Sequence, residues 1–182
     1  MRRIRAVAAA ALALGMAGCL LPAPSLRHRG DDFTRTESWR MRGNALSQPA
    51  GARDWVALDA EVVRPRGAPP RYLLVVDYRA GHDPLEIRRG ESLIVLADSA
   101  RFVLATTRVE TSGGVRGPRE VARYPVERDA MRRIATAGRI RVRVIGREWY
   151  VDRTVTNRGL WRFRRLMEAV EGDNQVPART RS

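Results

Sequence analysis

The chain has 182 residues, a formal net charge of +14 and one cysteine. Its size fits a single domain with its own core, and one cysteine excludes both an internal disulfide framework and a thiolate-rich metal site. The charge alone does not define a polyanion binder: all 34 basic residues are Arg, spread along the chain, with no Lys to supply mobile point charges.

Arg2, Arg3 and Arg5 begin the chain, and residues 6–17 form an apolar run too short to cross a bilayer. Met16, Ala17, Gly18 and Cys19 then place small residues directly before the cysteine, and this stretch resembles the lipobox of bacterial lipoproteins. The resemblance implies that residues 1–18 are a signal peptide. Cys19 would then be acylated on its sulfur and amino group, and several acyl chains would hold the mature chain on its membrane. Met16 stands where the family usually has Leu. Leu20 replaces the Asp that retains such proteins in the inner membrane, which implies the periplasmic face of the outer membrane. An envelope location argues against nucleic acid as a partner despite the charge.

Residues 19–31 read as a lipid-anchored tether, stiffened at Pro22 and Pro24, with His28 solvated within it. One β-rich domain is expected over residues 32–172, and a disordered polar tail over 173–182. Residues 33–41 alternate as an edge strand with charges on its apolar face. Residues 55–63 and 71–79 read as an antiparallel pair across a Pro/Gly-rich connection. Residues 93–97 and 102–109 suggest a hairpin turning at 98–101. The glycine-rich stretch 111–118 reads as a flexible connection between strands.

The last third is more regular. Residues 120–126 read as a strand and 127–137 as a helix, with Glu127 and Asp129 in its first turn and Gly138 as its stop. In residues 139–145, Ile140, Val142 and Val144 take one face, and Arg139, Arg141 and Arg143 take the other. Gly146 and Arg147 have the pattern of a type II′ turn into a partner strand at 148–156. Asn157 is the expected cap of a final helix, with Leu160, Phe163, Met167 and Val170 inward and Gly172 as its stop. The expected class is α+β, mainly antiparallel β, as a sheet or sandwich of about seven strands with two C-terminal helices. Residues 120–170, together with the lipobox, are similar to a group of small exported bacterial lipoproteins without assigned activity. That resemblance implies a fold and transfers no catalytic residue.

The residues supply no catalytic constellation. His82 lies near Asp77, but Ser92, Ser99 and Ser112 lack a nucleophile elbow. The His and carboxylate spacings match no metal or calcium site, and no cofactor is expected. Asp59 and Glu61 share a strand face and read as part of an exposed charged surface. The row Arg139, Arg141, Arg143 reads first as a solvated face balanced by Glu148 and Asp152, and alternatively as a grip for phosphate or carboxylate groups. Of the nearby Trp149, Tyr150 and Trp161, at least two are expected in the core. The expected function is a non-enzymatic cell-envelope lipoprotein, a membrane-tethered binding or assembly domain with an envelope protein as partner. The alternative is a binder of anionic envelope lipid or cell-wall polymer through its arginine-rich strand faces.

Overall fold

The computed structural model describes residues 26–81, 83–113 and 117–173. The chain runs through β1 (Leu26–Asp31), β2 (Thr36–Met41), β3 (Trp55–Pro65), β4 (Arg71–Arg79), β5 (Gly90–Ala97), β6 (Ala100–Thr106), β7 (Val109–Ser112) and β8 (Arg119–Val126). It continues through α1 (Arg128–Thr136), β9 (Ile140–Ile145), β10 (Tyr150–Thr154) and α2 (Asn157–Asp173). The strands form a six-stranded sheet in the order β1-β2-β3-β4-β8-β7 and a four-stranded sheet in the order β10-β9-β5-β6. All their pairings are antiparallel. The mainly antiparallel α+β class with two C-terminal helices is therefore observed. The expected count of about seven strands is corrected to ten among the described residues, in two sheets.

Alternation decides what each sheet buries. Leu58, Ala60 and Val62 of β3 and Leu74, Val76 and Tyr78 of β4 face a core that the four-stranded sheet fills with Leu93, Val95, Ile140, Val142 and Val144. The helices add Met131 and Ile134 from α1, and Phe163, Leu166 and Val170 from α2. The segment after β2 joins the sheets, because Ala45 bridges to Ala57 of β3 and Leu46 bridges to Val155.

Several expectations change where contacts distant in sequence intervene. Residues 26–31, read as tether, pair along their whole length with β2, and His28 stacks on Trp39 at 4.7 Å between ring centroids. β2 is therefore an inner strand, with β1 as the edge. Thr111 and Ser112, at the start of the stretch read as a flexible connection, complete β7, which pairs with β8.

Gly146 does not take a positive φ as a type II′ turn requires. Its N–H donates to the Trp149 carbonyl at 2.8 Å, closing a longer connection. Thr156, not Asn157, caps α2, accepting the Gly159 N–H on Oγ1 at 3.2 Å. α2 also continues through Gly172 to Asp173. Cys19, His82 and residues 174–182 lie outside the described residues.

Candidate functional site

The solvent face of the four-stranded sheet is assembled by register. Leu96 of β5 lies opposite Arg101 of β6 on one side and Arg141 of β9 on the other, and Arg141 is opposite Thr154 of β10. The next row runs Val103, Ile94, Arg143, Asp152. Beyond it lie Ala105 and, on β9 and β10, the pair Ile145 and Tyr150. The alternation that sends Val95, Val142 and Val144 into the core necessarily sends these residues outward.

The result is a shallow cleft of about 560 Å³, floored by Ile94 and Leu96 and rimmed by Arg101, Arg141 and Arg143. The Ser47–Pro49 loop walls it on the β10 side. Ser47 is fixed there by donating its N–H to the Thr154 carbonyl at 2.8 Å and accepting the Thr154 N–H on Oγ at 2.9 Å.

The arginines differ in their commitments. Arg143 makes a bidentate pair with Asp152, with Nε donating to Oδ1 at 2.7 Å and Nη2 to Oδ2 at 2.6 Å, and its guanidinium lies 3.9 Å from the Tyr150 ring centroid. That hydrogen bonding holds the Asp152 carboxyl below its usual range and raises Arg143 above its own. Arg153, at the cleft margin, is held by Asp54. Arg101 and Arg141 form no side-chain hydrogen bond or ion pair among the described residues.

Of the predicted row, Arg141 and Arg143 meet in this cleft, whereas Arg139 lies beyond its lining. The expected balance across the hairpin holds for Asp152, while Glu148 forms no ion pair among the described residues. Arg101 and the floor residues escaped the sequence reading. Their signal was the outward phase of β5 and β6, which gains meaning only once both strands are placed beside β9.

The aromatic expectation is corrected: Trp149, Tyr150 and Trp161 are exposed by 40, 53 and 58%. Trp149 rests edge-on against Tyr78, Tyr150 lies under Arg143, and Trp161 lies under Arg165 on the solvent side of α2. Trp149 thus touches the core only at its edge, while Tyr150 and Trp161 each pair with an arginine outside it.

The second charged surface, on the outer face of the six-stranded sheet, is largely self-neutralised. Arg40 pairs with Glu61, Arg119 with Asp77 and Arg123 with Glu110. Asp59 is not the exposed group expected from its neighbours. It is buried, its carboxylate accepts the Gly43 and Asn44 N–H groups, and burial pushes its pKa up.

Ser92 is also buried, in a hydroxyl contact with Tyr124 at 3.1 Å, and burial pushes the Tyr124 hydroxyl up to about 12. Among the described residues no group of three or more His, Cys, Asp or Glu side chains is arranged to hold a metal, and no helix is long and apolar enough to cross a membrane. No family model matches the chain, and comparisons with curated proteins and with solved structures return no significant match.

Proposed function

We propose that this protein is a non-enzymatic binding module of the cell envelope, held on the membrane through acylated Cys19, and that the arginine-rimmed cleft is its contact surface for an anionic partner. The observation that carries the second part is the pair of uncommitted guanidiniums, Arg101 and Arg141, on either side of Leu96. Guanidinium groups bind carboxylate and phosphate through two parallel hydrogen bonds, and among the described residues neither guanidinium has a carboxylate at hydrogen-bond or ion-pair distance, the charge of Asp152 reaching Arg141 only through space. The targeting segment supports the first part. Pairing is in place from Leu26, the first described residue, so at most residues 20–25 separate Cys19 from the sheet. Fully extended, they span about 20 Å, so the anchor would keep the domain close to the bilayer.

Two measurements test this reading. Cys19→Ala should move the protein from the membrane fraction to the soluble fraction and abolish incorporation of a labelled fatty acid. Unchanged fractionation and labelling would remove the anchor. Titration with inorganic phosphate, followed through arginine Nε–H resonances, should shift Arg101 and Arg141 and weaken with added salt. Arg133→Ala, on the exposed side of α1, should leave that titration unchanged. If phosphate shifts neither arginine, the cleft is not the contact surface.

A further inference from the structure

From the order of charge and apolar surface along this sheet face, we infer that the cleft takes a single-headed anionic amphiphile, with its phosphate or carboxylate head between Arg101 and Arg141 and its apolar chain over Ile94 toward Val103, which lies beside the cleft on β6. The inference rests on the cleft being the contact surface. It goes further in assigning the ligand two chemically different ends.

The head position follows from the first row. Arg101 and Arg141 project from the two strands flanking β5, roughly 10 Å apart across two inter-strand steps, and Leu96 lies between them. Long side chains on either side of one residue reach a common point above it, which fits one anion.

The next row ends the charge. Its only arginine, Arg143, is already neutralised by Asp152, and the residues beside it are Val103 and Ile94. Beyond the cleft, Ala105 and the half-buried Ile145 continue the apolar surface, while Glu91 lies exposed opposite Ala105. A polyanion presenting a charge every few ångströms would meet apolar side chains, a satisfied arginine and then a carboxylate. An alkyl chain leaving the head meets Leu96 and Ile94, about 7 Å apart on one face of β5. These residues remain partly exposed, so a chain laid on them removes apolar surface from water.

The test is calorimetric titration of the full-length chain carrying Cys19→Ser, which removes the acylation site without altering the described residues. Butyl phosphate, octyl phosphate, octanoate and octanol serve as probes below their aggregation concentrations. Octyl phosphate is expected to bind on the order of tenfold tighter than butyl phosphate, as half-burial of four methylenes predicts, and octanol much more weakly than either. Octanoate competing with octyl phosphate would assign a fatty-acid source, and its failure a phosphate head; either result supports a single anionic head.

Arg101→Ala and Arg141→Ala should each weaken octyl phosphate at least tenfold. Leu96→Ser, a change at a half-exposed position, should bring the octyl-to-butyl ratio close to one while leaving inorganic phosphate binding unchanged. Equal affinity for both esters, with both arginines still required, would overturn the amphiphile and leave the anionic contact surface standing. Binding to anionic lipid vesicles without binding to any monomeric amphiphile would overturn it in favour of an extended membrane surface. Absence of all binding that depends on Arg101 and Arg141 would overturn both readings.

Discussion

Gly146→Ala is the substitution for which the fold makes the sharpest demand. An added Cβ would lie 2.6 Å from Leu85 Cδ1 and 2.8 Å from its Cγ, and nearer still to the Leu85 carbonyl oxygen. Leu85 is 1% exposed, and its carbonyl accepts the Arg147 N–H at 3.2 Å. The neighbouring Arg88 N–H donates to the Ile145 carbonyl. The methyl group must therefore push the 85–88 segment away from the β9–β10 connection.

Losing one hydrogen bond costs about 1 kcal/mol, and forcing a buried side chain off its site costs about 1–3 kcal/mol. The total is about 2–4 kcal/mol, or roughly 5–15 °C in Tm for a domain of this size. Urea unfolding and thermal melting followed by circular dichroism would measure it. In a Leu85→Ala background, about 1–2 kcal/mol of the penalty should persist, because the carbonyl obstacle remains. A Tm within 2 °C of the parent, or full rescue by Leu85→Ala, would refute the assignment of Gly146 to a backbone close approach.

Glu120 is buried on the core face of β8, where it accepts the Glu86 N–H at 3.0 Å and the Ile87 N–H at 2.6 Å. Glu120→Ala should lose about 2–4 kcal/mol and speed amide exchange at residues 86 and 87, whereas unchanged protection there would show that the carboxylate does not hold the loop.

Asp59 predicts a pH effect of the less common sign. Burial raises its pKa in the folded state above 3.8, so folding favours its protonated form, and its contribution to stability falls as pH rises through the folded value. Asp59→Asn removes that negative contribution and should make stability rise more steeply between pH 4 and 7 than in the parent. Equal or shallower dependence in urea midpoints would contradict it. His28→Ala removes the stack on Trp39 and should raise amide exchange across Leu26–Asp31 several-fold with little change in global stability. Exchange confined to global unfolding would show that β1 is held by its backbone pairing alone.

Local chemistry made much of this chain legible. Period-two alternation located β3 and β9, a nearly continuous apolar run located β4, and the inward set of Leu160, Phe163, Met167 and Val170 located α2, because those residues carry their burial preference in their spacing. The outward direction of Arg141 and Arg143 followed from the same rule. β1 gave no such signal: Leu26, Arg27, His28, Arg29 and Gly30 are exposed, and the strand exists because β2 offers an open edge and Trp39 a ring to stack on.

Buried polar groups were equally opaque. Asp59, Glu120 and Asn44 look like surface residues until a loop folds over them and gives or takes their hydrogen bonds.

The sequence by itself determined an arginine-rich chain with one cysteine, strands that must bury one face, and two helices near the C-terminus. Only the tertiary structure decided that β5 lies between β6 and β9, and thus that Leu96 is flanked by Arg101 and Arg141. It also decided that Asp152 forms its ion pair with Arg143 and leaves Arg141 without a hydrogen bond or ion pair among the described residues. Alternation fixes which face a side chain takes, but its neighbour across the sheet depends on how distant strands close one shared core.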